Sequence, residues 1–206
     1  MHEVVHGPGR EYFRPNFWPN TPDITPWILQ SGHEDTYLVR NILAATLNSN
    51  YGLYGPVFEQ RVHAAVPGKE EYKDSEKYEI RHWDCEERNK ITHVMTHVNR
   101  IRKENPAFHD LLNYQACTIE NDQLMAYFKR DAATDNNLLM VVNLDPHYTQ
   151  SGWVQVPIGD RGVQPGQTFL AHDLITGNSY PWNQEWNYVE LNPNALPFHL
   201  FRLETK

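Results

Sequence analysis

Hydrophobic positions in the second half of the chain fall into short runs that predict β-strands. The runs are rich in β-branched and aromatic residues, and several are separated by turn signals at Glu120–Asp122, Gly159-Asp160, Pro165-Gly166 and Thr176–Asn178. The seven predicted strands cover residues 114–120, 124–130, 138–145, 152–158, 168–174, 187–192 and 198–203. Short strands at this spacing predict an all-β sandwich domain over residues 106–206.

The first half of the chain carries a helical period instead. In residues 34–48, Leu38, Ile42 and Ala45 share one face, which predicts an amphipathic helix. A second helix is predicted to begin at Asp84, where Glu87 follows three residues later as in a capping box. Asn105-Pro106 ends this helix, whose apolar stripe consists of Ile91, Val94, Met95, Val98 and Ile101.

Two short apolar segments precede these helices and predict strands. They are "EYFRPNFW" at residues 11–18 and "YGLYGPVFE" at residues 51–59. Two strand–helix units make a poor domain on their own, and a closed eight-unit barrel takes about 200–250 residues. We therefore expect residues 1–105 to be the last β/α units of a truncated (β/α)8 barrel, followed by the β-sandwich.

Charge and composition narrow the class of function. The net charge of −8 argues against nucleic acid or an anionic membrane as the main partner. The N-terminus has no apolar signal region, and no apolar run approaches the length of a membrane span, so we expect a cytoplasmic protein. Cys85 and Cys117 are too few for a disulfide framework or a zinc site and predict two reduced thiols.

Asp23 is the first candidate for chemistry. It ends a segment in which Pro15, Pro19 and Pro22 restrict the backbone, and a carboxylate on a stiff loop suits a preorganised site. From spacing alone, Asp23 could equally cap the following helix or lie in a solvated turn.

A long polar loop at residues 66–84 is the second candidate. Its carboxylates alternate with cations, which usually marks a solvated face, but Tyr72 and Tyr78 could help to hold a polyhydroxylated ligand. His93 and His97 are four residues apart without the glutamate of a zinc-protease helix, so we expect no metal. The sequence also contains no phosphate-binding glycine loop and no nucleophile elbow, and we expect no cofactor.

Several longer motifs match a known family in order and over nearly the whole chain. They are "EYFRPNFWPNTPDI", "AATLNSNYGLYGPVFE", "EEYKDSEKYEIRHWD", "NRIRKENPA" and "DLITGNSYPWNQEWNYVELNP". On these motifs the chain resembles the C-terminal part of the α-1,4-glucan:maltose-1-phosphate maltosyltransferases, a branch of the α-amylase superfamily (glycoside hydrolase family 13 type). "NTPDI" and "DSEKYEIR" are specific to this branch.

The resemblance implies roles for individual residues. Asp23 would be the third acidic residue of the active site, a catalytic residue that stabilises the transition state and binds sugar hydroxyls. Most α-amylases have His before this Asp, whereas this chain has Pro22, as the maltosyltransferase branch does. Lys77 would reach the second sugar of the maltosyl unit, and Asn20 would help to shape the site. We add Tyr78 as a substrate-binding residue because it adjoins Lys77.

The resemblance also shows what this chain lacks. Retaining glycoside chemistry needs a nucleophile and a general acid/base about 5 Å apart, and in this family both lie on strands that precede Glu11. We therefore expect an inactive fragment of an enzyme that transfers maltosyl units from maltose 1-phosphate to α-1,4-glucan.

Two other functions remain open on the sequence. One is a fragment of an α-amylase-type hydrolase. The other is a non-catalytic α-glucan-binding module, in which Trp153, Trp182 and Trp186 could stack on sugars, although packing of these rings in the core or between domains is the competing interpretation. Because two barrel units leave strand edges and a helix face uncovered, we also expect disorder near residues 1–10 or self-association, with a homodimer as the expected assembly.

Overall fold

The computed structural model describes residues 1–159 and 166–205. In chain order, the α-helices are α1 (His2–His6), α2 (Glu34–Leu47), α3 (Gly55–Glu59) and α4 (Lys90–Glu104). Short 3-10 helices occupy Pro8–Glu11, Trp27–Ser31 and Pro106–His109. The strands are β1 (Tyr114–Ala116), β2 (Leu124–Asp131), β3 (Asn136–Asn143), β4 (Gln150–Gln155), β5 (Phe169–Asp173), β6 (Ser179–Trp182), β7 (Trp186–Leu191) and β8 (Phe198–Thr205).

The predicted β-domain is confirmed. Its strands form an antiparallel six-stranded sheet in the order β1-β2-β3-β8-β5-β6 and a two-stranded ribbon, β4-β7. Each predicted strand overlaps an observed one. The sequence pattern missed β6, a short and largely exposed edge strand that contains Pro181. The predicted turns at Gly159-Asp160 and Pro165-Gly166 include residues outside the described ranges.

The central sheet is buried on both faces, which explains the unbroken apolar run in β3. Leu139 and Val141 point to a core shared with the β4–β7 ribbon, where Val154 and Val189 meet them. The intervening residues of β3 point the other way, into a second core that also contains the apolar faces of α2 and α4. The sheet therefore lies between the ribbon and the helices.

The helical half and the β half share this second core. Ile42 of α2 and Val98 of α4 belong to the same buried cluster as Met140 of β3. The hydroxyl groups of Thr46 and Tyr127 hydrogen-bond across the same contact. The division at residues 105 and 106 stays a prediction, and the packing across it is continuous.

The two strands predicted in the first half are wrong as strands. Within the described residues, the only β-bridge between the segments 11–18 and 51–59 is a parallel one, between Phe17 and Tyr51. Pro15 and Pro19 cannot donate backbone hydrogen bonds to a sheet. The second segment turns into α3 because Pro56 lies in a first helical turn, where a missing N–H costs little. The barrel itself is not in this chain.

The second predicted helix begins later than expected. Asn89 caps α4: its side chain accepts a hydrogen bond from the Thr92 N–H, and the Thr92 hydroxyl accepts one from the Asn89 N–H. Asp84 instead accepts a hydrogen bond from the Glu86 N–H and closes a local turn. The predicted end at Asn105-Pro106 is confirmed.

Candidate functional site

The backbone that leads to Asp23 runs beside a second segment. Phe17 receives a hydrogen bond from the Gly52 N–H at 2.8 Å, and the Phe17 N–H donates to Asn50 at 3.3 Å. A Cβ on Gly52 would lie 2.4 Å from the Trp18 ring, so the close approach of these segments requires glycine. This contact fixes the direction in which the following loop leaves.

Asn20 joins three parts of the site. Its amide nitrogen donates to the Tyr54 carbonyl at 3.2 Å and to the Tyr72 hydroxyl at 3.0 Å, and its oxygen accepts from the Tyr54 N–H at 3.1 Å. Asn20 is 1% exposed. Because its amide is buried and engaged, this geometry favours positioning of the loop by Asn20 over direct contact with a sugar.

The loop around Asp23 is attached to the polar loop at residues 66–84. The Thr25 N–H donates to the Glu70 carbonyl at 2.8 Å, and the Trp27 N–H donates to Glu70 Oε1 at 2.7 Å. Gln30 adds a hydrogen bond to the Lys69 carbonyl at 3.0 Å. The polar loop is therefore more than a solvated face, since it is bound along one side to the segment that carries Asp23.

Three predicted site residues lie together at the open end of these loops. Lys77 Nζ lies 3.8 Å from Asp23 Oδ1 and 5.5 Å from the centroid of the Tyr78 ring. Tyr78 and Asp23 both raise the pKa of Lys77, so the amine is a cation at neutral pH. The side chains of all three residues are exposed.

Glu76, which sequence reasoning did not single out, fixes the backbone next to Lys77. Its carboxylate accepts hydrogen bonds from the Tyr54 hydroxyl and, at 2.7 Å, from Trp83 Nε1. These two bonds lower the pKa of Glu76, and burial together with Glu76 raises the pKa of Tyr54 to about 12. Glu76 is therefore ionised at neutral pH and unsuited to act as a general acid.

The arrangement can bind a polyhydroxylated ligand. Asp23 offers acceptors, Lys77 offers donors, and Tyr78 offers an exposed aromatic face. Cleavage of a glycosidic bond with retention needs a nucleophile and an acid in addition to a group that stabilises the transition state. Asp23 is a single carboxylate and can supply only one of these three groups.

The remaining sequence candidates lie elsewhere. Trp182 packs against Phe169 and Phe201 in the core shared with the ribbon, whereas Trp153 is exposed on β4. His97 contacts the Leu174 carbonyl at 3.0 Å.

Cys85 and Cys117 form no disulfide. No group of three or more His, Cys, Asp or Glu residues in the described ranges could hold a metal ion. No helix in those ranges is long and apolar enough to cross a bilayer.

Comparison with known proteins shows what this chain is similar to. The family model described as "GLGE, C-terminal" matches residues 116–203. An α-1,4-glucan:maltose-1-phosphate maltosyltransferase of Chlorobaculum tepidum is 48% identical over 94% of this chain, and one of Methylacidiphilum infernorum is 44% identical over 98%. The resemblance to the C-terminal part of the maltosyltransferases is confirmed. The chain spans about 30% of the length of each of these two maltosyltransferases.

Two solved structures share the fold of this chain. A gamma-CGTase from alkalophilic Bacillus clarkii superposes on the whole chain with a TM-score of 0.63 at 16% identity, over 29% of its own length. A crystal structure of an AmyP variant with maltotriose covers 96% of the chain and 43% of its own, with a TM-score of 0.60 at 15% identity. At such low identity the likeness shows the fold alone.

Proposed function

We propose that this chain is the C-terminal part of a retaining glycosyltransferase that moves maltosyl units from maltose 1-phosphate to the non-reducing end of α-1,4-glucan. The observation that carries the proposal is the 3.8 Å contact between Asp23 and Lys77, which joins two residues 54 positions apart in the chain. Both belong to motifs specific to the maltosyltransferase branch. The identity of 48% and 44% to the two maltosyltransferases described above supports the same activity.

In this proposal the exposed charges of Asp23 and Lys77 contact different sugars of the substrate. Asp23 binds hydroxyls of the reacting sugar and stabilises the positive charge that develops on it in the transition state. Lys77 donates hydrogen bonds to the next sugar, and Tyr78 packs beside it. Asn20 and Glu76 hold the two loops so that these groups converge.

The parallel contact between Phe17 and Tyr51 fits the end of a barrel. Neighbouring strands of a (β/α)8 barrel are parallel, and active-site residues follow their C-terminal ends. Asp23 follows Phe17 in this way. Residues 1–105 are proposed to complete a barrel with residues that precede this segment in a longer polypeptide, and residues 106–206 to form the following β-sandwich.

The nucleophile and the general acid then belong to the rest of the enzyme, and the isolated chain is inactive. α-1,4-Glucan and maltose 1-phosphate are partners of the complete enzyme only. A cytoplasmic location and a homodimer remain predictions of the same account.

The experiment begins with the coding DNA upstream of Met1. We expect an in-frame region that encodes a nucleophilic Asp and an acidic Glu, and we expect the encoded enzyme to release phosphate when given maltose 1-phosphate and glycogen. In that enzyme, Asp23→Asn should lower kcat by about 100-fold or more, because the carboxylate acts in the transition state. Lys77→Met should lower kcat/KM by about 10- to 100-fold, the usual effect of losing a charged hydrogen bond.

Tyr148→Ala serves as the matched control, because Tyr148 is exposed in the β half and has no proposed role at the site. Full activity of Asp23→Asn would contradict the proposal. A complete enzyme that only hydrolyses glucan would support the α-amylase-type hydrolase instead. Such an enzyme would transfer sugar from glucan to water and not to phosphate.

A further inference from the structure

The outer face of the β4–β7 ribbon is unusual for its exposed aromatic rings. The strands pair in a register that places Trp153 opposite Tyr188, Gln155 opposite Trp186 and Ser151 opposite Glu190. These six residues form the outer face, because the residues between them point into the core. We call this set the ribbon face.

Trp153 and Tyr188 form the centre of the ribbon face. Their ring centroids are 5.7 Å apart and the rings meet at 65°. Trp153 is 42% exposed and Tyr188 is 52% exposed, so packing against each other leaves about half of each ring free. Trp182, by contrast, is partly buried and packs against the core. The exposure of the Trp153–Tyr188 pair points to a ligand.

The polar residues of the ribbon face indicate the chemistry of that ligand. Glu190, Ser151 and Gln155 surround the rings and can accept or donate hydrogen bonds at their edges. The six residues include no Lys or Arg, and the chain carries a net charge of −8, which disfavours a nucleic acid or an anionic surface. A sugar chain suits this face, because its C–H groups can pack on aromatic rings while its hydroxyls bond the surrounding acceptors.

We infer that the ribbon face is an α-1,4-glucan-binding surface separate from the Asp23 site. The ribbon packs on the side of the central sheet opposite to the helices, whereas Asp23 belongs to the helical half. The identity of the sugar rests on the proposed function, since the enzyme would then act on a glucan long enough to be held at a second place. Binding there would keep the polymer near the enzyme between transfers.

Affinity electrophoresis of the 206-residue chain tests this inference. We expect glycogen in a native gel to retard the wild-type chain, and dextran at the same concentration to retard it much less. Trp153→Ala and Tyr188→Ala should each raise the apparent Kd for glycogen about tenfold, the upper range for loss of an aromatic contact. Trp153→Phe should retain most of the binding.

Tyr12→Ala is the control, because it removes a more exposed ring from the helical half and should leave retardation unchanged. Thermal unfolding and near-UV circular dichroism of each variant establish that the ribbon is folded. No retardation of the wild-type chain by glycogen, equal retardation by dextran, or wild-type binding by a folded Trp153→Ala variant would each overturn the inference.

Two further variants separate this inference from the proposed function. If Lys77→Met abolishes glycogen binding and Trp153→Ala leaves it intact, the glucan binds at the Asp23 loops. This result would overturn the inference about the ribbon face and leave the proposed function unaffected. The complete enzyme could instead show no maltosyl transfer, while the isolated chain loses glycogen binding on Trp153→Ala. This result would overturn the proposed function and would still support glucan binding at the ribbon face.

Discussion

Lys129 is a buried lysine that hydrogen-bonds to the backbone at Asp110. Its side chain is inaccessible to solvent, and its Nζ donates a 2.7 Å hydrogen bond to the Asp110 carbonyl. Burial lowers the pKa of Lys129 to about 8, although the Asp110 carboxylate partly opposes this shift. The folded protein therefore holds a proton at this position less tightly than the unfolded chain does.

The free energy of unfolding should consequently depend on pH through Lys129. Between pH 8 and 10.5 the unfolded chain binds more protons at this residue than the folded protein, so this contribution to stability rises with pH. The gain is about 3 kcal/mol by the top of that range. Urea unfolding of the wild type and of Lys129→Met across this pH range measures this contribution. Because both proteins contain the same tyrosines, the difference between the two curves belongs to Lys129.

Lys129→Met should remove the rise and should be at least as stable as the wild type below pH 8. Parallel curves for the two proteins would contradict the assignment.

The site residues differ in how far the sequence could reveal them. The family motifs pointed to Asp23 and Lys77, and the structure brings the two together. The roles of Tyr54, Glu76 and Trp83 depend on contacts between loops that have no periodic pattern, so only the folded arrangement shows that Glu76 is fixed by two aromatic donors.

At the scale of elements, the start of α4 provides a direct comparison of two candidate caps. Asn89→Ala should destabilise the protein by about 1 kcal/mol, because it removes the side-chain acceptor for the Thr92 N–H. Asp84→Ala should change stability by less than about 0.5 kcal/mol, since Asp84 only closes an exposed turn. Thermal or urea unfolding of the two variants measures the difference, and a larger loss from Asp84→Ala would place the helix start where the sequence pattern put it.

Other elements show why sequence patterns succeeded in one half and failed in the other. Strands such as β3 and β8 were predictable because their apolar side chains are buried by neighbours within this chain, which produces regular apolar patterns. The apolar segments at residues 11–18 and 51–59 have the composition of strands, but among the described residues they share only one β-bridge. Strand formation depends on the partners that a segment finds, and sequence alone does not supply those partners.

At the scale of the whole molecule, large apolar side chains are exposed mainly in the helical half. Within residues 12–80 they are Tyr12, Phe13, Trp18, Ile24, Trp27, Ile28, Tyr78 and Ile80. Such surface usually belongs to an interface. The length of the relatives suggests that other parts of a complete enzyme cover it, and in the isolated chain we expect self-association to do so.

Multi-angle light scattering of the isolated chain tests this expectation. A dimer or larger assembly should form at micromolar concentration, and Ile24→Glu with Ile28→Glu should weaken it because charges then replace two of the exposed side chains. Trp153→Ala in the β half should leave the assembly unchanged. A monomer whose helical half is fully protected from hydrogen exchange would contradict the expectation.

The central claim is that this chain binds and positions a sugar but lacks the nucleophile and the general acid that cleave the glycosidic bond. Phosphate release by the purified 206-residue chain, supplied with maltose 1-phosphate and glycogen, tests this claim most directly. We expect no release above the rate of a protein-free control, because the proposed function places the nucleophile and the general acid outside this chain. Sustained turnover that Asp23→Asn abolishes would contradict the account.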